Sequence, residues 1–193
     1  LHRIRLAMQG QDGGKLGGDV EVDETFIGGA ARFMHGAKKK RVIQGKTGHV
    51  GKVAVMGLLE RHGDGQSRVR TRVLTGTKRK GMHAHIADNV EVGSNVYTDA
   101  FRSYIGLDAA YVHQVIDHAE AYVDGNVHTN GLENFWSLVK RALKGTYVSV
   151  EPFHLFRYLD EQSFRFNNRK LSDAARFAIT AASVFGKRLT FRQ

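Results

Sequence analysis

Cysteine is absent from the 193 residues of this chain. That excludes disulfide staples and thiolate zinc sites, and it fits a reducing compartment. Proline occurs once and no low-complexity run is present, while 41% of residues are hydrophobic, so the composition is that of a folded chain rather than a disordered one. No apolar stretch approaches the roughly 20 residues of a membrane-spanning helix, and the N-terminus lacks the apolar core of a signal peptide. Acidic residues are also short. Lys and Arg total 29 against 19 Asp and Glu, a formal net charge of +10. The natural partner of such a chain is a polyanion, with nucleic acid first. An anionic membrane surface has no support, because no helix is both strongly basic and amphipathic with a large aromatic face. The same charge would suit a ribosomal-type binding protein, so it indicates a class of partner and not a reaction. The length suits one well-packed domain with an appendage.

Within these limits one stretch organises the chain: His128-Thr129-Asn130-Gly131-Leu132-Glu133-Asn134-Phe135-Trp136-Ser137-Leu138-Val139-Lys140-Arg141. At about 100° per residue, Leu132, Phe135, Trp136, Val139, Ala142 and Leu143 fall on one side of a helix. Asn130, Glu133, Ser137, Lys140, Arg141 and Lys144 fall on the other. The structural reading is a capping box, with Asn130 as N-cap and Glu133 three residues on, and with Lys140 and Arg141 complementing the last turns. The functional reading needs carboxylates elsewhere that could meet Glu133 across a shared metal.

In chain order, residues 1–9 carry apolar side chains at 1, 4 and 8, as the end of an amphipathic helix would, and residues 10–18 form a glycine-rich linker. The chain opens on Leu1 rather than Met. Residues 1–18 are therefore expected to be a remnant helix and linker from a missing upstream DNA-binding region. Residues 19–27 alternate as a strand, with Asp23 on the face of Glu21 and Thr25 and Glu24 on the opposite face. Periodicity alone does not choose among these three acids. Residues 30–52 are basic and glycine-rich around Lys38-Lys39-Lys40-Arg41. They are expected to form a long loop, either solvated or in contact with phosphates. Residues 53–59 read as a buried strand and 68–74 as a strand with one basic face, joined through Gly63-Asp64-Gly65 as an antiparallel pair.

A helix is expected over 82–90, introduced by Lys78-Arg79-Lys80. A short strand over 95–98 runs into Asp99, which is placed to be either an N-cap or a metal ligand. Further expectations are a helix over 100–107, a strand-like segment over 113–122, and amphipathic or apolar helices over 153–166 and 174–185. Antiparallel strands followed by strands alternating with helices make an α/β domain with a mixed sheet. Its expected extent is 19–170, with 171–193 as a C-terminal helix and basic tail.

Three blocks carry a resemblance. They are Val22-Asp23-Glu24-Thr25-Phe26-Ile27-Gly28-Gly29, Tyr97-Thr98-Asp99-Ala100-Phe101-Arg102-Ser103-Tyr104, and His128-Thr129-Asn130 through Lys140-Arg141. With Gly145-Thr146-Tyr147, Tyr158-Leu159-Asp160-Glu161 and Phe166-Asn167-Asn168-Arg169, they resemble the ISXO-like branch of bacterial insertion-sequence DDE transposases, over roughly residues 18–170. Three ordered blocks are far more specific than any single motif. The resemblance implies a ribonuclease-H-like mixed five-stranded sheet flanked by helices. It also chooses Asp23 over Glu21 and Glu24, and it groups Asp23 with Asp99 and Glu133. The 34 positions between Asp99 and Glu133 lie in that family's usual range.

The implied function is metal-dependent DNA strand cleavage and strand transfer for an insertion sequence. In-line displacement at phosphorus builds charge on the attacking and leaving oxygens, and two divalent ions about 3.5–4 Å apart stabilise both. Mg²⁺, with Mn²⁺ as a substitute, takes hard oxygen ligands and keeps several waters, so a few carboxylates suffice. By resemblance Asp23 bridges the two ions, with Asp99 and Glu133 each completing one side. Lys140 contacts a phosphate near the scissile bond. Arg141, Asn130 and Lys38, Lys39, Lys40 and Arg41 are the further DNA-contacting candidates. The implied partners are insertion-sequence ends and target DNA, with no membrane, and a homo-oligomer when active. The implied location is the bacterial cytoplasm, associated with the nucleoid.

The branch usually carries an N-terminal zinc ribbon and helix-turn-helix, and this sequence has neither. Two alternatives stand beside the leading reading: a catalytically inactive DNA-binding protein of transposase ancestry, and another ribonuclease-H-like nuclease. A rival metal site at His83 and His85, or at His113 and His118, lacks an acidic or Cys partner at ligand spacing.

Overall fold

The first strand, β1 (Asp19–Ile27), is the centre of the sheet, covered on both faces although only one of them is apolar. Val20 and Val22 are fully buried on one side, and Glu21 and Thr25 are buried on the other. In the computed structural model, which describes residues 1–10, 13–29, 35–43, 49–62, 66–116, 128–147 and 150–187, four more strands flank it. They are β2 (Val53–Glu60), β3 (Arg68–Val73), β4 (Asn95–Asp99) and β5 (Val112–Ile116). The order across the sheet is β3-β2-β1-β4-β5. β1 runs antiparallel to β2, and β2 antiparallel to β3. β1 runs parallel to β4, and β4 parallel to β5. This is the ribonuclease-H-like α/β arrangement, with its antiparallel half contributed by one continuous meander.

Six helices complete it: α1 (His2–Met8), α2 (Gly36–Ile43), α3 (Arg79–Asn89), α4 (Asn130–Gly145), α5 (Leu155–Asn167) and α6 (Asp173–Ala182). The two faces of the sheet have separate cores. Val20, Val22, Met56, Leu58 and Val96 pack against Met82 and Ile86 of α3 and against Tyr104 and Leu107. Val55, Leu59 and Val69 pack against Leu132, Phe135, Trp136 and Val139 of α4 and Leu155 and Leu159 of α5. The apolar stripe of α4 is therefore the core-facing one, and Glu133, Ser137, Lys140, Arg141 and Lys144 are exposed. At the outer edge of the sheet the Asn167 side chain accepts from the Val69 N–H at 2.7 Å and donates to the Val69 carbonyl at 2.9 Å. One amide thus stands in for a neighbouring strand and closes part of an edge that would otherwise invite pairing.

The structure differs from the sequence expectations in three places. Residues 36–43 are helical rather than loop, since Ala37 and the Lys-Lys-Lys-Arg run are good helix formers even without an apolar period. Residues 100–107 are not a helix. They make two short 3₁₀ turns, Arg102–Tyr104 and Leu107–Ala109, separated by Gly106 at φ +92°, which an α-helix does not admit. The last helix buries none of its residues, and Phe177 is 74% exposed. The Gly63-Asp64-Gly65 turn and residues 117–122 of the fifth expected strand lie outside the described residues. Among the described residues, no helix is long and apolar enough to cross a membrane.

Candidate active site

Asp23 sits on the α4 side of β1, as the strand's parity requires, directly opposite Gly57 of β2. A Cβ at Gly57 would lie 2.6 Å from Cζ2 of Trp136 and 2.8 Å from Cδ2 of Leu132. The missing side chain is therefore the slot into which the indole fits. From that slot Trp136 Nε1 donates to Asp23 Oδ2 at 2.9 Å. An isolated glycine within an apolar strand signals such a close approach, although Gly57 reads in sequence as one member of a buried run.

Asp99 ends β4, the parallel neighbour of β1. The register pairs Glu21 with Tyr97. Continued two residues further, it sets Asp23 level with Asp99 on the same face. Asp99 Oδ1 accepts from the Phe101 N–H at 3.1 Å, a local turn bond that orients the carboxylate; the N-cap of the following 3₁₀ turn is Phe101, so Asp99 is not the N-cap the sequence offered. Burial pushes the Asp23 carboxyl up to about 6, and the charge of Asp99 pushes the same way. The indole and the Glu24 N–H draw it back, and Glu133 adds a smaller repulsion. Asp23 thus senses both other members of the sequence-derived trio, and both repel it.

Glu133 projects from the first turn of α4, exposed, with a carboxylate that makes no hydrogen bond or ion pair with described residues. Among the described residues, no three His, Asp or Glu side chains stand close enough to hold a metal ion as they are. The donor chemistry nonetheless fits a hard divalent cation: two neighbouring carboxylates repel one another, and a third is free to turn toward them.

The start of α4 is held by a device absent from the sequence reading. Thr129, not Asn130, is the N-cap residue, and neither makes a side-chain cap. The buried Glu21 carboxylate does so from β1 instead, accepting from the Leu132 N–H at 2.9 Å. Gly131 is required there, because a Cβ would lie 2.9 Å from Glu21 Oε2. Arg61 neutralises Glu21 at 2.7 Å, lies over the Tyr97 ring and donates to the His128 carbonyl. Glu21 therefore aims the helix that carries Glu133.

Glu24, which the sequence reading weighed and set aside in favour of Asp23, also borders the site. It points to the α3 side and accepts from the Tyr104 hydroxyl at 2.5 Å. Burial raises it to about 7, with the Tyr104 bond opposing and Asp99 and Asp23 adding to the rise. Adjacency to Asp23 was its only sequence signal.

Comparison with known proteins follows the same residues. The family model for the ISXO2-like transposase domain matches residues 15–167, which contain both strands and the helix that carry the three acids. The chain belongs to this family. It is 33% identical over 105 residues to an uncharacterized transposase-like protein of Haemophilus influenzae, covering 54% of this chain and 85% of that protein. It is 28% identical over 135 residues to an uncharacterized protein in transposable element ISH50 of Halobacterium salinarum, covering 66% of this chain and 45% of the relative, less than half its length. No solved structure matches.

Of the remaining candidates in this transposase-family chain, Lys140, Arg141 and Asn130 are exposed on α4, and Lys39 and Lys40 are exposed on α2. The side chains of Lys38 and Arg41 lie outside the described residues, as does His118. The other histidines have neighbours of their own. His83 Nε2 meets the Ser103 carbonyl at 3.0 Å, His85 Nδ1 meets the Asn89 amide at 3.1 Å, and His113 Nε2 meets Thr98 Oγ1 at 2.9 Å. Burial lowers His85 to about 4, with nearby Arg72 adding to the drop, so it is neutral at ordinary pH.

Proposed function

We propose that this chain is the catalytic domain of an insertion-sequence transposase that cuts DNA strands and joins the freed ends to a target, with Asp23, Asp99 and Glu133 as its carboxylates. The observation that carries this reading is the half-buried Asp23 carboxyl. It lies level with Asp99 on adjacent strands, is raised by desolvation first and then by the charges of Asp99 and Glu133, and sits in a chain whose family is that of transposases. Asp23 midway along β1 and Asp99 at the end of β4 bring two carboxylates level on adjacent parallel strands, a pair whose mutual repulsion a bound cation would relieve.

Asp23, Asp99 and Glu133 are the residues that would hold the divalent cations. Bound Mg²⁺ or Mn²⁺ supplies stabilisation of charge on the attacking and leaving oxygens of an in-line displacement at phosphorus. The Trp136 indole holds the orientation of the Asp23 carboxylate, and the Phe101 N–H holds that of Asp99. Glu133 closes the set by a change of side-chain torsion, since nothing among the described residues restrains it. Lys140 and Arg141, farther along the exposed face of α4, contact the phosphates that flank the scissile bond.

The test is Mn²⁺-dependent nicking of duplex DNA carrying an element end. Nicking is expected for the chain and lost in Asp99→Asn. Joining of the cut strand to a second duplex separates a transposase from a ribonuclease-H-like nuclease. The exposure of Glu133 favours a second reading, a DNA-binding descendant without catalysis. Under that reading, DNA binding persists with no metal-dependent nicking in the wild-type chain.

A further inference from the structure

Lys78, Arg79 and Lys80 open α3, all three exposed, with no acidic residue in the helix's first turn. None makes an ion pair among the described residues, and Lys78 as N-cap makes no side-chain cap. Cations there oppose the helix dipole, and the acid of this helix, Asp88, lies at the opposite end, where it opposes the dipole as well. The three charges therefore do nothing for the stability of α3.

Their place in the fold connects them to the candidate active site. The Ser103 hydroxyl donates to the Thr77 carbonyl at 2.6 Å, and His83 reaches the Ser103 carbonyl at 3.0 Å. This binds the start of α3 to the 3₁₀ turn Arg102–Tyr104, three residues after Asp99. The exposed Arg102 guanidinium stands on that turn without a carboxylate partner. The same turn is tied to β1 by the bond from Tyr104 to Glu24, next to Asp23. Four exposed cations from two elements, none ion-paired among the described residues, are thus joined through Ser103 and Tyr104 to Glu24, the neighbour of Asp23 on β1, while Asp23 itself faces α4, from which Lys140 and Arg141 project.

Resting on the transposase reading above, we propose that Lys78, Arg79, Lys80 and Arg102 form a second phosphate-contacting surface that holds the backbone of duplex DNA on the α3 flank of the cleavage site. The duplex is then gripped on both sides of the three carboxylates. Contacts made by lysine and arginine to phosphates are independent of sequence, so this surface positions DNA without selecting it.

The experiment measures binding of the full chain to a duplex as a function of salt, comparing wild type with Lys78→Ala/Arg79→Ala/Lys80→Ala and with Arg102→Ala. Arg3→Ala, which removes an exposed cation of α1, serves as control. Each lost phosphate contact makes the slope of log K against log salt shallower by about 0.9. The triple variant is expected to lose up to about 2.7 from the slope, equally for specific and unrelated duplexes, and Arg3→Ala nothing. Circular dichroism is expected to show α3 intact, since alanine favours helix. Lys80→Glu alone is expected to weaken binding further than Lys80→Ala, which separates a charge effect from a folding defect. A triple variant with the wild-type slope overturns this surface even if nicking by wild type stands. A wild type that binds DNA without nicking removes the transposase reading while leaving the surface measurable.

Discussion

Asp23 shows how one side chain can be poor for the fold and still be retained. Its native carboxyl titrates near 6 against an ordinary value of 3.8, raised by burial and by Asp99. Between those two values the native chain binds more protons than the unfolded one, so stability falls as pH rises through the interval and the deficit is complete above about 6. Asp23→Asn keeps an oxygen for the Trp136 indole and removes the charge. We expect the variant to be more stable than wild type at pH 8 by about 1–3 kcal/mol in urea denaturation, with the advantage gone at pH 3. An equal midpoint at pH 8 would show that the Asp23 charge is not confined against Asp99. The identity of this residue was legible from the block Val22-Asp23-Glu24-Thr25. Its repulsion by a residue 76 positions away was not, because only strand pairing brings the two together.

At the scale of elements, the strands were readable and the helix anchors were not. Alternation in 19–27 predicted β1 to the residue, since a period of two is local. Residues 100–107 misread as helix because their composition permits one, and the interruption depends on Gly106 and on Tyr104 reaching back to Glu24. The start of α4 is the clearest case. Asn130 and Glu133 read as a capping box, while the structure caps the helix with Glu21 from β1, neutralised by Arg61 from the end of β2. Glu21 is 1% exposed, and Arg61→Ala leaves it only His128, 3.5 Å away and charged only when protonated, so the change is expected to cost about 3 kcal/mol, the low end for a broken buried pair. Adding Glu21→Gln to that variant is expected to recover part of the loss in a double-mutant cycle read by urea denaturation. Strictly additive losses would mean that the two groups do not depend on one another. Gln can still accept from the Leu132 N–H, so the cycle isolates charge from capping.

At the scale of the molecule, a buried ion pair ties α1 to α5, beside the stacking of His2 on His154 and the bonds from Lys187 to the Leu6 and Gln9 carbonyls. Arg5 Nε meets Glu161 Oε2 of α5 at 2.9 Å, with the guanidinium 3.8 Å from the centre of the Tyr158 ring. Arg5→Ala is expected to cost about 3 kcal/mol, the low end for a broken buried pair because Arg165 still faces Glu161. Faster hydrogen exchange in α1 and α5, with the β1 amides little changed, is the pattern that checks it. The sequence alone was enough for the basic charge, the α/β class, the order of the strands along the chain and the family, because composition, short periods and motif blocks are all local properties. Only the tertiary structure decided that Asp99 lies level with Asp23, that Gly57 makes room for the indole and that Glu21 caps α4. It also decided that the start of α3 is tied to the turn after Asp99. Each of these depends on segments distant in the chain meeting across the sheet, and no local pattern records which partner a strand or helix will find.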